Sequence, residues 1–578
     1  MADFTLTKEA IVMCGIAGLL SKKGENVIPL LRGMLESIEH RGPDGAGVMA
    51  SGKVCYAKTI AELDWDSLGG NLAMGHTRLA VVGGSEGQQP LVSNDGHIVL
   101  LHNGEIYNYK ALRSSLEKDY HFATQTDSEV LIHLLSQHYK GDLMEAFNNI
   151  ASQLDGVYAI AVSDGKEIVI ARDLIGVKQL YWGENENLVA FASEKKGLWN
   201  LGLRKDIHRL LPGKVIRLSS TGLEQTRRTP DFLRADKPAI HDLGEALETY
   251  ETALKKAVQK RIPDLEQMGV IFSGGVDSVI IATIAKELGA NMTCYTAGVG
   301  DADDIDFSKR AAAQIGVPIQ VNQLDDQTLL DFVVKAIAFI EDRSLGQVEV
   351  AIPIIASVEL AYQDGQIVLL TGQGADELFG GYPWYRRITE VTGYEELESR
   401  MWDDLNQLYK ETLEREDKIT MAYGIELRVP YLDPQVIRVA FDIDPRLKLR
   451  STKDFEGKYI HRVLASTIGV SEEIAWRPKE AAQHGAGIHN RLLGLAEEQG
   501  FTESVAQQLG YRMADELEEN LGSSQRYGFK YDDSSQWATQ DHVQLWLDKL
   551  AYEHGLLSSA EQERLGPYLA ATAKIIQP

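Results

Sequence analysis

The chain has 578 residues, 44% of them hydrophobic and 25% charged, the composition of a globular protein. That length accommodates about two to four domains, each able to bury its own core. A net charge of −26 excludes general nucleic-acid binding, which calls for basic surfaces, though not a local cationic pocket. Cys14, Cys55 and Cys294 are too scattered for a zinc-ligand spacing or a disulfide framework, and a reducing cytoplasm fits them. No run of 18 apolar residues and no signal-peptide pattern is present, so no membrane partner is expected.

Residues 1–12 carry no motif. Met13-Cys14-Gly15-Ile16-Ala17-Gly18-Leu19 then opens an apolar stretch, where an isolated cysteine would ordinarily be a small packing residue. An amphipathic helix is expected over 27–39, ending in His40-Arg41-Gly42-Pro43-Asp44, and residues 51–70 read as a surface insertion. Gly75-His76-Thr77-Arg78-Leu79 follows, and a strand over 98–102 leads into Asn103-Gly104-Glu105-Ile106-Tyr107-Asn108. Thr126-Asp127-Ser128-Glu129 has the pattern of a capping box at a helix start. Alternation over 157–162 and 168–171 predicts sandwich strands, and the segments around Ala171-Arg172-Asp173 and Phe191-Ala192-Ser193-Glu194 read as structural. A polar linker is expected over 219–245.

Beyond it, an apolar strand over 268–272 meets Ser273-Gly274-Gly275-Val276-Asp277-Ser278, a helix is expected over 277–288, and the next strand over 292–297. Glycines let the backbone approach a ligand, and successive N–H groups at a helix N-terminus form an anion site. Asp277 has the wrong sign for phosphate and is the candidate Mg²⁺ ligand. A helix over 307–315 and a strand over 318–321 continue a β/α alternation, which implies a parallel sheet with ligands at the carboxyl ends of its strands. A further strand over 367–370 runs into Thr371-Gly372-Gln373-Gly374-Ala375-Asp376-Glu377, and later come Arg415 to Asp417, Lys458 and Trp476-Arg477-Pro478-Lys479. Residues 491–578 show helical stretches over 511–521 and 542–553 and no motif; they could cover a site, mediate oligomerisation or pack alone.

In this order the motifs of 13–218 closely resemble a class II, N-terminal-nucleophile glutamine amidotransferase domain; the gaps of 25 residues from Arg78 to Asn103 and 24 from Asn103 to Asp127 fit it. The Ser-Gly-Gly-Val-Asp-Ser loop resembles that of the ATP pyrophosphatases, and the chain over 13–490 is similar to the glutamine-hydrolysing asparagine synthetase family. The resemblance implies an α+β N-terminal-nucleophile sandwich (αββα) over 14–218, an α/β parallel-sheet ATP-pyrophosphatase domain over 246–490, and a helical tail. It gives Cys14 the role of nucleophile, with Asn103 and Gly104 as oxyanion hole, and Arg78, Asp127 and the Glu105 region as glutamine-binding groups. ATP and pyrophosphate would meet Ser273, Gly274, Gly275, Asp277, Ser278, Thr371 and Gly372, with Lys458 balancing pyrophosphate charge and Lys479 a weaker second cation. Glu341 is the acid/base candidate from its spacing to Pro353, and Ser344 stands where a second metal-binding acid is expected. The family's nucleophile uses its own α-amine as base, so residues 1–13 are read as a removable extension or a start-site artefact.

The implied activity is asparagine synthesis from glutamine, ATP with Mg²⁺ and a carboxylate acceptor, aspartate by resemblance. The resemblance also allows a homodimer. Two other readings stay open: an amidotransferase of the same architecture with a different acceptor, and a non-catalytic nucleotide or glutamine sensor.

Overall fold

The computed structural model describes residues 14–42, 45–78, 88–203, 206–227, 233–234, 237–262, 267–450, 457–512 and 540–576. The extension at 1–13, Pro43, Asp44, Leu79 and most of the helix expected over 511–521 lie outside the described residues.

The first half is a sandwich of two antiparallel sheets. One has seven strands in the order Ile207–Arg209, Tyr181–Glu184, Leu188–Ala192, Gly15–Ser21, Leu72–Thr77, Ala46–Ala50, Lys53–Ala57. The other runs Gly222–Arg227, Lys214–Ser219, Ile168–Arg172, Gly156–Ser163, Val99–Ile106, Leu91–Val92. Side chains alternate across each strand. Ile16, Leu20, Met74, Leu101 and Phe191 fill the space between the sheets. Ala17 and Leu19 turn outward to Leu31 and Leu35 of the helix Ile28–Ser37. Leu100 and Ile106 turn the other way, to Val130 and Leu134 of the helix Asp127–His138. Each such buried aliphatic side chain contributes about 1.5–3 kcal/mol. The αββα layering expected from the motifs is present.

Residues 51–70 lie mostly at the surface, where they supply the edge strand Lys53–Ala57, with Ile60, Leu63 and Leu68 buried in the outer core. Three local expectations are corrected. The segment taken as a linker from 219 begins with the strand Gly222–Arg227, joined by a two-residue turn to Lys214–Ser219. Its polar composition is that of an exposed edge strand. The strand expected over 98–102 continues through Asn103 to Ile106, because its backbone pairs with Gly156–Ser163 even where the inner face turns polar. Thr126 makes no side-chain cap; the Glu129 carboxylate instead accepts from the N–H groups of Ala123 and Thr124.

The second half carries a five-stranded, all-parallel sheet in the order Ile319–Leu324, Met292–Val299, Met268–Ile271, Val368–Leu370, Glu426–Arg428. The chain first winds outward through Met292–Val299 and Ile319–Leu324. It then returns through the helices Asp326–Ile340 and Leu345–Gln363 to the other side of Met268–Ile271. That reversal makes a topological switch point between Met268–Ile271 and Val368–Leu370, where a crevice opens at the carboxyl edge. Leu345–Gln363 is long and apolar enough to cross a membrane by composition, but 67% of that stretch is buried among the other elements.

The tail does not pack alone. Arg343, just before Leu345–Gln363, donates to Asp548 of the helix Asp541–Glu553 at 2.8 Å and to Glu561 of the helix Ser559–Ile576 at 2.6 Å. The amide of Gln544 meets the same turn, accepting from Leu345 N–H and donating to the Arg343 carbonyl.

Candidate active sites

Cys14 immediately precedes the strand Gly15–Ser21, whose pairing sets Gly15 against Thr77. Carried one residue further, that register sets Cys14 across from Arg78, and directly opposed Cβ atoms lie about 4.5–5.5 Å apart. Both positions continue the inner-facing series, Cys14 with Ile16 and Arg78 with Met74. Asn103 lies on the inner face of the opposite sheet, in step with Val99 and Leu101. It is 1% exposed, and its Nδ2 donor has no hydrogen-bond partner among the described residues. A buried amide left unsatisfied needs an explanation, and a developing oxyanion is one. Gly104 has φ +149°, and a Cβ there would lie 2.0 Å from the Val157 carbonyl, so only glycine keeps this strand pairing intact.

Asp127 is buried and accepts from Ile106 N–H at 2.9 Å and Ser128 N–H at 2.8 Å. Burial pushes its carboxyl up to about 6, with the two N–H groups pulling against that shift. Glu105 lies beside Asp127 and 3.7 Å from Arg428 of the second domain. Burial, then Glu426 and Asp127, hold its carboxyl well above the carboxylate range. His76 and His102 are kept neutral, each pushed down to about 3 chiefly by burial.

The second centre occupies the switch-point crevice. The turn Ser273-Gly274-Gly275 leaves Met268–Ile271 and enters the helix Val276–Glu287; Gly274 takes φ +69°. Thr371 and Gly372 leave the neighbouring strand so close that a Cβ on Gly372 would lie 2.9 Å from the Asp277 Cβ and 3.0 Å from Ser278 N. The expected loops therefore meet. Lys458 joins them: its Nζ donates to both Asp277 oxygens at 2.8 and 2.6 Å and lies 2.7 Å from Asp376 Oδ1. Lys458 is 1% exposed and holds a left-handed φ of +69°, a strained conformation of the kind found at functional sites. Lys479 donates to Asp376 Oδ2 at 2.8 Å. Burial raises the Asp277 carboxyl, but Lys458, His461 and Lys479 outweigh it and hold the group well below the carboxylate range. Glu377, by contrast, accepts from Tyr382, and burial with Asp376 pushes it up to about 8.

His461 was not anticipated. Its Nε2 lies 3.0 Å from Asp277 and its Nδ1 2.8 Å from the Tyr250 hydroxyl. Its spacing of three from Lys458 at a helix start was the available signal, since such residues share a face.

The Glu341 carboxylate pairs with Lys418 at 2.8 Å and accepts from the N–H groups of Lys195 and Lys196 at 3.3 and 2.9 Å. Burial works against its charge, and Lys418 more than offsets it. Ser344 starts the helix Leu345–Gln363 beside the tail contact, and its N–H donates to Asp342. Glu341 takes a left-handed φ of +56°.

Between the centres lies the helix Leu413–Ala422, every residue of which is buried, including Glu414, Arg415, Glu416, Asp417 and Lys418. One side faces the sandwich: Arg209 pairs with Glu414, Arg41 with Asp417 and Lys418 with Glu341. On the other, Glu416 accepts from the Gln373 side chain, in the loop carrying Thr371 and Gly372. So concentrated a buried charge is costly unless paired, and it marks a functional wall.

An asparagine synthase family profile matches residues 249–548, and a glutamine amidotransferase domain profile matches residues 13–226. "Putative asparagine synthetase 1 (glutamine-hydrolyzing)" of Methanocaldococcus jannaschii is 33% identical over 538 residues, covering 85% of this chain and 96% of that protein. The nodule asparagine synthetase (glutamine-hydrolyzing) of Pisum sativum is 29% identical over 498 residues, covering 82% of this chain and 78% of that one. Asparagine synthetase 1 (glutamine-hydrolyzing) of Saccharomyces cerevisiae is 29% identical over 522 residues, covering 82% and 85%.

Proposed function

The chain belongs to the asparagine synthase family, and on that premise we propose that it converts aspartate to asparagine, with glutamine as amide donor and ATP as activator. The observation that carries this reading is Lys458 bridging Asp277 and Asp376 where the two loops of the switch-point crevice meet, with the Cys14 centre behind one shared helix wall.

At the first centre the Cys14 thiol attacks the glutamine carboxamide. Asn103 Nδ2, which has no hydrogen-bond partner among the described residues, and the Gly104 N–H suit an oxyanion, and Arg78, opposite Cys14, suits the substrate carboxylate. Asp127 is the candidate for the ammonium group. A base is needed for the thiol, and the α-amine of Cys14 serves once residues 1–13 are removed. At the second centre aspartate attacks the α-phosphorus of ATP, pyrophosphate departs, and ammonia displaces AMP. Ser273, Gly275 and Ser278 supply donors to the phosphates, with Lys458 and Lys479 balancing their charge.

Asp277 and Asp376 fit a Mg²⁺ role. They are two carboxylates converging on one point, and no group of three or more potential metal-ligating side chains occurs among the described residues. That suits an ion bound through one or two carboxylates plus substrate phosphates. When bound, it would neutralise charge on the departing pyrophosphate. This reading takes the enzyme as cytoplasmic, without nucleic-acid or membrane partners, and allows a homodimer.

The test is pyrophosphate release with ATP, Mg²⁺ and glutamine, with and without aspartate, on protein whose first residue is verified as Cys14 by mass spectrometry. Aspartate-dependent pyrophosphate matched by asparagine supports the reading. Retained glutaminase without aspartate-dependent pyrophosphate overturns aspartate as acceptor. Protein that keeps residues 1–13 is expected to use ammonia but not glutamine.

A further inference from the structure

A plain dicarboxylate and an amino-acid dicarboxylate present the same carboxyl group to ATP. They differ by an ammonium group, and a crevice that tells them apart needs an anion with room for it. Asp277 and Asp376 are held by Lys458 and Lys479. Glu377 accepts from the Tyr382 hydroxyl.

Glu416 differs from these. It lies on the buried helix Leu413–Ala422 and is 1% exposed. Its Oε1 accepts from Gln373 Nε2, two residues beyond Thr371 in the loop that abuts Asp277 and Ser278. Its Oε2 has no hydrogen-bond partner among the described residues, a state that costs a buried carboxylate dearly unless a donor arrives. The charged group beside it is Arg415, whose Nη2 stands 3.8 Å from Oε1 and whose Nη1 donates to Gln347 of the helix Leu345–Gln363 and to the Glu411 carbonyl. Tyr382, Glu411 and Asp342 are the further ionisable groups around that guanidinium. On the same helix Glu414, Asp417 and Lys418 face Arg209, Arg41 and Glu341 on the sandwich side.

We propose that Glu416 determines acceptor specificity: its Oε2 seats the ammonium group of an amino-acid acceptor, while Gln373 ties the carboxylate to the loop carrying Thr371 and Gly372. Recognition of the acceptor and of the nucleotide then converge on one loop. An acceptor that lacks the ammonium group leaves Oε2 buried without a donor, which is how a site built around a polar contact rejects the analogue missing it. Burial pushes the Glu416 carboxyl up to about 7, against the opposing pulls of Arg415 and the Gln373 hydrogen bond. Only the anion attracts an ammonium group, so the subsite is competent above that pH and fades below it. The assignment rests on the aspartate reading of the crevice and names the residue that would read aspartate's ammonium group.

The experiment measures exchange of pyrophosphate into ATP with aspartate and with succinate, which is the same dicarboxylate without the ammonium group, in wild type and in Glu416→Gln. Succinate is read both as an acceptor and as an inhibitor of the aspartate-dependent exchange. Wild type should prefer aspartate by at least about 10²-fold in kcat/KM. In Glu416→Gln the preference should shrink to within about threefold, through a higher KM for aspartate and no loss with succinate. In wild type the KM for aspartate should climb as pH falls through about 7, while inhibition by succinate does not weaken. That arm needs no variant, and it decides the matter if Glu416→Gln folds poorly. Equal use of the two acids by wild type, an aspartate preference that survives in Glu416→Gln, or a KM for aspartate that stays level across that pH overturns the assignment. Wild type without any aspartate-dependent exchange overturns the aspartate reading itself, and this role of Glu416 with it.

Discussion

Arg41 of the sandwich and Asp417 of the buried helix Leu413–Ala422 form an ion pair at 3.1 Å across the domain boundary, both almost wholly buried. Arg41 also reaches the Cys14 carbonyl at 3.4 Å and Glu194 at 2.7 Å. Asp417 is followed along its helix by Lys418, which holds Glu341, and preceded by Glu416, which holds Gln373. One guanidinium thus touches the nucleophile's residue and the wall of the second crevice. Asp417→Asn keeps the shape and removes the charge. Free glutamate made per pyrophosphate released should rise well above one, because glutamine hydrolysis no longer senses the second site, while ammonia-dependent synthesis changes little. An unchanged ratio would show that Arg41 and Asp417 only hold the domains together.

The oxyanion assignment gives a sharper split. Asn103→Ala removes a buried donor that has no other partner among the described residues. Glutaminase kcat should fall about 10²–10³-fold, the usual cost of one such donor, with the KM for glutamine little changed. Ammonia-dependent synthesis should be untouched. A rise in KM alone would make Asn103 a ground-state binding group.

Asp127 makes glutamine binding pH-dependent. Its carboxyl is pushed up to about 6 by burial, so it is neutral below that pH and anionic above it. Only the anion attracts an ammonium group. The KM for glutamine should therefore climb as pH falls through about 6, and the climb should be absent in Asp127→Asn, whose KM is high throughout. A raised carboxyl also loses stability as pH rises, so Asp127→Asn should melt no lower than wild type at pH 8. Parallel KM profiles for the two proteins would refute the role.

Gly381 tests the synthetase centre from outside its functional groups. A Cβ there would lie 1.8 Å from Asp376 Oδ1 and 2.3 Å from Lys458 Cε. Gly381→Ala must displace the Asp376–Lys458 pair, and aspartate-dependent pyrophosphate exchange should fall at least about tenfold, more than 1.4 kcal/mol of transition-state stabilisation. The circular-dichroism spectrum and glutaminase rate should stay near wild type. Normal exchange would mean that this ion pair is dispensable.

What the sequence made legible followed from local chemistry. Ser273 to Ser278 and Thr371-Gly372 were readable because a strand, a glycine turn and a helix start are one contiguous signal, and parallel pairing then brings two such turns together. Cys14, Arg78 and Asn103 were named from the order and spacing of motifs that resemble a family, and strand register then sets Cys14 across from Arg78. Glu341 was named from its spacing to Pro353, which gives a position along the chain and not a direction; its pairing with Lys418 is visible only in the fold. His461 and Glu416 meet partners 184 and 43 residues away, contacts that sequence alone does not place. The charged run Glu414 to Lys418 is wholly buried, which only the packing of two domains against it reveals.

The tail yields a last prediction, because one arginine fastens it. Arg343 donates to Asp548, whose carboxylate is fully buried, and to Glu561, while Tyr511 gives Asp548 a further hydrogen bond at 2.6 Å. Burial already raises the Asp548 carboxyl, and Arg343 pulls it down most, with help from the Tyr511 and Gln544 hydrogen bonds. Arg343→Met leaves that carboxyl without its cation, a change of the kind that costs about 3–5 kcal/mol when the charge cannot escape. Here it can escape by taking up a proton. The folded state of the variant then binds more protons than the unfolded chain, so its stability falls as pH rises above the ordinary carboxylate value of about 4. Thermal midpoints of wild type and Arg343→Met should lie close at pH 5 and diverge by pH 8, and Arg343→Met/Asp548→Asn should close most of the gap at pH 8. A gap independent of pH would mean that the arginine stabilises the tail through packing of its stem rather than through its charge.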